Sequence, residues 1–137
     1  MKQILVLAVI VAAVVLLTTW PRINDVETSQ TPEYPDLKDQ SYVAREDRVA
    51  GAAKEAIASL PRWTFVGAGK GPGGSEIKAV ATTRFLGFKD DVTIRIRWTD
   101  GRTVVSVHSK SRTGKLDFGQ NARNIREFFE ALNKRVV

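Results

Sequence analysis

An alternation of apolar and polar residues predicts a β-hairpin in the second half of the chain. Every second residue from 92 to 98 is apolar, and the residues between them are threonine or arginine. A strand with one buried and one exposed face requires this period of two. Asp100-Gly101 tolerates the positive φ angles of a two-residue turn, and the chain then returns as a partner strand over residues 103–109. The apolar positions of the first strand are Val92, Ile94, Ile96 and Trp98.

The turn also predicts which residues face each other across the hairpin. Because side chains alternate between faces, a register shift of one residue would turn the arginines into the core. The pattern therefore favours one pairing, with apolar residues opposite apolar residues. The predicted pairs are Ile96 with Val105, Ile94 with Val107, Arg95 with Ser106 and Thr93 with His108.

Two segments, residues 45–60 and residues 121–136, have the apolar spacing of helices with one buried face. Pro61 ends the first helix, and Gln120 or Asn121 is expected to cap the second. The first helix is rich in alanine, which suits close approach to a sheet. The predicted buried positions are Val49, Ala52, Ala53, Ala56, Ile57 and Leu60 in the first helix, and Ile125, Phe128, Phe129, Leu132 and Val136 in the second.

Two more strands are predicted between the first helix and the hairpin. They are Trp63–Val66 and Ile77–Phe85, separated by a glycine-rich turn at Lys70–Ser75. The order of elements is then helix, four strands, helix. This order predicts an α+β fold in two layers, a four-stranded antiparallel sheet with both helices on one face.

An uncharged and mostly aliphatic run over residues 3–20 is long enough to span a bilayer as a helix. We interpret residues 1–20 as a transmembrane anchor, which makes the bilayer a partner of the chain. A cleaved signal peptide is the alternative, but the run ends without a small-x-small cleavage site. Lys2 and the amino terminus oppose only Arg22 across the span. This favours a single-pass protein of the inner or plasma membrane, with a cytoplasmic N-terminus and the domain on the periplasmic or outer side.

Residues 21–44 and 45–137 differ in composition and charge. The first segment holds three prolines and no apolar period, which is typical of an extended, acidic tether. The second holds 18 of the 21 Lys and Arg and 10 of the 15 Asp and Glu, a net charge of +8. Such a small basic domain suits anionic lipid head groups or an acidic protein surface, although the charge could serve solubility alone. Nucleic acid is not expected, because aromatic residues do not interleave with the basic ones.

The hairpin leads into a polar, glycine-punctuated loop that resembles a known family signature. The segments FKDDVTIR, residues 88–95, and HSKSRTGKLDFGQNARNI, residues 108–125, are similar to the signature of the domain of unknown function 1499 family. The resemblance covers about the last two-thirds of the chain. It implies a shared architecture, but it points to no particular activity. His108 and Asn124 stand where members usually have arginine. The matching positions are Asp90, Asp91, Ser109, Ser111, Arg112, Gly114, Asp117, Gly119, Asn121 and Ile125.

The adjacent carboxylates Asp90 and Asp91 raise the question of a metal site or a general acid. Neighbouring residues of a strand point to opposite faces, so the two cannot easily share one ion. Asp117 of the loop is a further carboxylate that could join one of them. We expect instead that one aspartate accepts a bidentate bond from Arg112 and holds the loop against the start of the strand. His108 is the single histidine and there is no cysteine, so neither a zinc site nor a catalytic triad is predicted. We therefore predict no metal, no cofactor and no catalytic residues.

Two functions of different classes remain. The first hypothesis is a non-enzymatic accessory or scaffolding domain of a larger membrane protein assembly. The alternative is a ligand-binding or enzymatic domain that holds an anionic small molecule or lipid head group at Arg112, Lys115 and the Asp90/Asp91 pair. The candidate contact residues are Ser109, Ser111, Arg112, Lys115, Arg95 and Arg97. The residues expected to shape the loop are Asp90, Asp91, Gly114, Asp117, Gly119 and Asn121.

Overall fold

The computed structural model describes residues 1–136, which form an α+β fold with three helices and one six-stranded antiparallel sheet. The sheet order is β1-β6-β5-β4-β3, and β2 also pairs with β6. The elements are α1 Lys2–Thr19, β1 Asp25–Glu27, β2 Gln40–Tyr42, α2 Glu46–Ser59, β3 Trp63–Gly71, β4 Gly74–Thr82, β5 Lys89–Thr99, β6 Arg102–Ser111 and α3 Gln120–Asn133.

The hairpin of β5 and β6 has the predicted register. Ile94 lies opposite Val107 and Ile96 opposite Val105, and the two polar pairs are confirmed as well. Asp100 and Gly101 have φ angles of 51° and 74°, as a tight turn between twisted strands requires. The exception is Trp98, which was predicted on the apolar face but is 46% exposed. Its ring instead lies 5.7 Å from the guanidinium of Arg45.

Helices α2 and α3 cover one face of the sheet and enclose the core. The predicted stripe of α2 is buried from Val49 to Ile57, and that of α3 from Ile125 to Leu132. Leu60 and Val136 pack against the core at its margin. Trp63 stacks on Phe128 with ring centroids 6.1 Å apart, which joins the start of β3 to α3.

The prediction of a four-stranded sheet and an extended tether at residues 21–44 was wrong. Both β1 and β2 lie in this segment and pair antiparallel with β6, at its two ends. Val26 is fully buried, and Leu37 is 8% exposed in the same core. Because these two apolar residues are far apart in the sequence, they produce none of the regular apolar spacing that predicts a strand or a helix. Backbone pairing with the edge of β6 orders the segment instead.

The hairpin of β3 and β4 is longer than predicted. Its strands run on to Gly71 and from Gly74, so the predicted glycine-rich turn is reduced to residues 72–73. Gly74 has φ 123°, and a Cβ there would lie 2.5 Å from the carbonyl oxygen of Ile96. β4 ends at Thr82, which leaves Phe85 in a loop and not in the predicted strand.

The N-terminal helix α1 buries none of its residues against the rest of the chain, and its mean hydropathy is 2.3. Its length and composition fit a single membrane span, and they fit a signal sequence equally well.

Candidate functional site

A cluster of hydrogen-bonded polar side chains is buried between the sheet and the start of α3. Asn121 lies at its centre, where its amide donates to Asp117 Oδ2 at 2.7 Å and its carbonyl oxygen accepts from Ser109 Oγ at 2.7 Å. Asn124 donates to Asp90 Oδ2 at 2.8 Å. We call these five residues the inner polar cluster; each is less than 10% exposed. Since buried polar atoms must find partners, the cluster fixes α3 on the sheet.

Asp90 has an unusual environment within the inner polar cluster. Burial raises the pKa of its carboxyl, and the nearby Asp117 raises it further, against hydrogen bonds from Asn124 and Ser111 that lower it. Asn124 stands where the resemblance leads us to expect arginine. A neutral amide cannot compensate a buried negative charge as a guanidinium would, so Asp90 has no cationic partner in the cluster.

The N-cap residue of α3 is Gly119, and Asp117 supplies side-chain acceptors at this end of the helix. Its two carboxylate oxygens accept from the backbone N–H groups of Gly119 at 2.8 Å and Asn121 at 3.2 Å. The prediction that Gln120 or Asn121 caps the helix was therefore wrong. Gly119 precedes the helix with φ 77°, and Gly114 has φ 79° in the same loop, so both glycines occupy the left-handed region.

Residues 23–24 form hydrogen bonds with the polar loop, which runs from residue 109 to residue 121. The Asn24 carbonyl accepts from Ser111 N at 2.9 Å, and Asn24 Nδ2 donates to the Gly114 carbonyl at 2.6 Å. The Ile23 carbonyl accepts from Asp117 N at 3.1 Å. The loop is thus fixed by hydrogen bonds along much of its length.

The opposite face of the sheet carries ion pairs, and we call it the outer ion-pair face. Arg112 binds both carboxylate oxygens of Asp91, with Nη2 to Oδ1 at 2.8 Å and Nε to Oδ2 at 3.0 Å. This guanidinium lowers the pKa of Asp91. The expected bidentate pair therefore forms with Asp91, while Asp90 turns inward, as strand alternation requires.

The arginines predicted as a contact surface are paired on this outer face. Arg95 lies 3.2 Å from Glu27 and 3.6 Å from Glu76, and Arg97 lies 3.4 Å from Asp39. Glu27 and Asp39 come from the segment that was predicted as a tether, so the sequence pattern did not reveal these partners. His108 contacts Asp25, which also comes from that segment.

The candidate contact residues consequently do not form one surface. Ser109 is buried and Ser111 is half-buried, whereas Arg112 and Lys115 are exposed. Arg95 and Arg97 lie on the outer face with their charges paired.

A groove of about 580 Å³ opens between the 83–88 loop, the 113–118 loop and the start of α3. Asp90 and Asp117 of the inner polar cluster lie at its floor. Five apolar side chains and three arginines surround its mouth. The apolar residues are Phe85, Leu86, Phe88, Leu116 and Phe118, and the arginines are Arg62, Arg84 and Arg123.

The arginines of the groove differ from those of the outer face in their partners. Within residues 1–136, Arg62, Arg84 and Arg123 form no ion pair. Arg123 donates to the Phe118 carbonyl at 2.9 Å and to Gln120 Oε1 at 3.2 Å, which positions its guanidinium without neutralising it. The three cations are therefore available to an anion.

The groove also adjoins the end of the apolar helix. Trp20 follows α1 and meets Phe118 edge to face, with ring centroids 6.1 Å apart. The guanidinium of Arg123 lies 6.0 Å from the Trp20 ring. Sequence reasoning missed this site, although the cluster Phe85-Leu86-Gly87-Phe88 beside Arg84 was a visible signal of apolar residues outside the core.

Comparison with family models shows which protein family the chain belongs to. The model described as protein of unknown function (DUF1499) matches residues 16–132. The chain belongs to this family. The match extends further toward the N-terminus than the resemblance indicated, and it includes the segment at residues 21–44 that completes the sheet. The inner polar cluster and the Arg112–Asp91 pair are built mainly from the residues that resemble the DUF1499 signature. No curated protein matches the chain.

No group of three or more His, Asp or Glu side chains suited to hold a metal ion occurs in the part of the chain that the structure describes. The carboxylates of the groove floor, Asp90 and Asp117, are engaged by amide and hydroxyl donors.

Proposed function

We propose that the chain is a single-pass membrane protein whose domain binds the anionic head group of a lipid or other amphiphile in the groove. The observation that carries this proposal is the lining of the groove, which combines five exposed apolar side chains with three arginines that form no ion pair within residues 1–136. Guanidinium groups bind phosphate and carboxylate with directed hydrogen bonds, and apolar walls accept the attached hydrocarbon. A water-soluble anion without a hydrocarbon chain would need only the guanidinium groups.

The carboxylates of the groove do not forbid an anion. Asp117 accepts two backbone N–H groups and the Asn121 amide, and these donors compensate its charge. The pKa of Asp90 is raised, which favours its neutral form at a given pH. Glu127, half-buried on α3, is the remaining carboxylate of the lining. The proposed site thus uses Arg62, Arg84 and Arg123 in place of Arg112, whose guanidinium is occupied by Asp91.

The proposed orientation keeps the N-terminus in the cytoplasm and the domain on the periplasmic or outer side of an inner or plasma membrane. Lys2 and the amino terminus favour this side for the N-terminus. Trp20 then lies at the outer interface, next to the groove, where indole rings are favoured.

The test is lipid binding by the full-length chain in detergent micelles, measured by native mass spectrometry with added phosphatidylglycerol or phosphatidylcholine. We expect phosphatidylglycerol to bind more tightly. Arg84→Gln should reduce this preference roughly tenfold or more, since a hydrogen bond to a charged group contributes about 1.5–3 kcal/mol. The matched control is Arg48→Gln, because Arg48 is an exposed arginine on α2, away from the groove. Equal binding of the two lipids, or equal effects of the two variants, would contradict the proposal.

A second candidate is the accessory subunit of a membrane protein assembly. Its support is the sheet edge at β3, where Phe65 and Val66 are 47% and 60% exposed. An edge strand has unpaired N–H and C=O groups that an extended strand of a partner protein can pair with. The bulge between Phe65 and Gly67 shortens the regular part of this edge.

The accessory-subunit proposal is tested by extracting native membranes with mild detergent and separating the complexes by size. The chain should migrate within a large, stable complex, and Val66→Pro should release it by removing a backbone donor from the edge. Migration at monomer size, from detergents that preserve other assemblies, would contradict this candidate.

A further inference from the structure

We infer that the 83–88 loop and residues 116–118 insert into the interfacial layer of the bilayer that α1 spans. This inference rests on the membrane span of the proposed function, but it does not require a ligand in the groove. The domain would then contact the membrane at two places, the helix and the apolar loops, and the groove would open toward the head groups.

The exposure of the loops is the first observation. Phe85 and Leu86 are 79% and 83% exposed, and Phe88, Leu116 and Phe118 are between 41% and 49% exposed. Single exposed apolar residues are ordinary on protein surfaces, but five around one groove form a patch of the kind that marks an interaction site.

The backbone of the 83–88 loop holds this patch in place. Thr83 N donates to the Phe88 carbonyl at 2.7 Å, and Phe88 N donates to Thr83 Oγ1 at 2.9 Å. The same hydroxyl donates to the Phe85 carbonyl at 2.7 Å. These bonds close the loop on itself, so its tip is presented as a defined structure.

The tip contains a residue that the local backbone disfavours. Leu86 has φ 67°, in the left-handed region where glycine or asparagine is favoured. In water, a leucine at this position has an unfavourable backbone and gains no burial within residues 1–136. Contact with acyl chains would provide the burial that the folded domain does not.

Basic residues flank the apolar ones on both loops. Arg84 precedes Phe85, Lys89 follows Phe88, and Lys115 precedes Leu116. This arrangement suits an interface in which apolar side chains enter the acyl boundary while cations remain among phosphates. Trp20 contacts Phe118 at the same edge, so the end of α1 and the loops lie on one side of the domain. We therefore name the bilayer as the occupant of this patch.

The absence of cysteine from the sequence makes a direct test possible. Leu86→Cys in the full chain is labelled with an environment-sensitive nitrobenzoxadiazole dye and reconstituted into phosphatidylcholine vesicles with or without spin-labelled acyl chains. The matched control is Val43→Cys. Val43 is 75% exposed but follows β2 near the β5–β6 turn, at the opposite end of the sheet.

We expect blue-shifted emission at position 86 and strong quenching by the spin-labelled lipid, with neither effect at position 43. Phe85→Cys should repeat the result and guards against a local effect of one label. Water-like, unquenched emission at positions 85 and 86, in chains that remain in the vesicles, would overturn the inference. So would equal quenching at positions 86 and 43.

The two proposals fail in different ways. Insertion is measured in phosphatidylcholine alone, where no anionic head group is present. If the label is quenched but phosphatidylglycerol shows no preference, insertion stands and head-group binding fails. If Arg84→Gln abolishes a real lipid preference while position 86 stays in water, head-group binding stands and insertion is overturned.

Discussion

The inner polar cluster and the outer ion-pair face each hold an aspartate of β5, yet neutral donors bind the first and an arginine binds the second, and the two regions have different physical roles. Asp90 and Asp91 are adjacent in the sequence, but Asp90 is 1% exposed and Asp91 has 55% of its side chain exposed. Burial changes the consequence of a lost partner. A buried donor or acceptor without a partner costs its full desolvation energy, whereas an exposed one returns to water.

The two regions also differ in the elements that their polar contacts join. The inner polar cluster joins the sheet to α3, so it sets the position of a helix. The outer ion-pair face joins neighbouring strands and the segment at residues 21–44, and its charges remain partly solvated. Exposed ion pairs of this kind usually contribute little to stability.

The largest expected effect is that of Asn121→Ala. The substitution removes the acceptor of the buried Ser109 hydroxyl and one of the three donors to the Asp117 carboxylate. A buried group left unsatisfied costs about 1–3 kcal/mol. We expect the free energy of unfolding to fall by roughly 3 kcal/mol, measured by urea denaturation of the full chain in detergent.

The matched control for this substitution is Asn133→Ala. Asn133 lies on the same helix and accepts from Tyr42 Oη at 2.6 Å, but this contact is exposed. Asn133→Ala should lower the free energy of unfolding by much less than Asn121→Ala does. Equal losses would show that burial does not distinguish the two regions.

Asp90→Asn should change the pH dependence of stability. The folded-state pKa of Asp90 lies above its ordinary value of 3.8. Its contribution is therefore fully present below pH 3.8 and is lost as the pH rises through the folded-state pKa. Asparagine does not titrate, so the variant should gain stability relative to the natural chain as the pH rises through this window. Unfolding curves measured from acidic to neutral pH check the sign, and a constant difference would be evidence against it.

Asp91→Asn should have the opposite and smaller pH dependence. Arg112 lowers the folded-state pKa of Asp91, so the contribution of this carboxylate is present above pH 3.8 and is lost as the pH falls through the folded-state pKa. The variant should therefore be less stable than the natural chain at neutral pH and approach it in acid. Solvent screening keeps the difference small, and the same unfolding series measures it.

The smallest expected effect concerns a buried hydroxyl outside both regions. Within residues 1–136, Tyr34 Oη is buried and has no hydrogen-bond partner, and burial raises the pKa of this phenol. Tyr34→Phe removes the hydroxyl and keeps the ring, which lies 5.7 Å from the guanidinium of Arg126. We expect the free energy of unfolding to be unchanged or to rise by up to about 1 kcal/mol. A clear loss of stability would instead indicate a partner for the hydroxyl, such as an ordered water.

The sequence predicted what depends on regular local patterns. The register of β5 and β6 followed from alternation and the Asp100-Gly101 turn, and the stripes of α2 and α3 followed from helical spacing. Alternation also predicted that Asp90 and Asp91 point to opposite faces. It could not predict which of them is buried, because that depends on the helix that covers the sheet.

The features that the sequence did not predict arise from contacts between distant segments. β1 contains a single buried apolar residue, Val26, and its pairing with β6 has no local signal. The partners of Arg95 and Arg97 come from that same segment. The groove combines Arg62 with two separate stretches, 83–90 and 111–127, and no local pattern indicates that they line one cavity.

The connection between α1 and β1 has a mechanical consequence. The chain leaves the helix at Thr19 and enters the sheet at Asp25, and Trp20 packs against Phe118 on the way. Because Trp20, Ile23 and Asn24 also contact the 113–118 loop or the end of β6, a tilt of the helix is expected to act on the loop and on this edge of the sheet. In the proposed membrane-spanning arrangement, the depth of the helix in the bilayer therefore sets the height of the groove above the membrane.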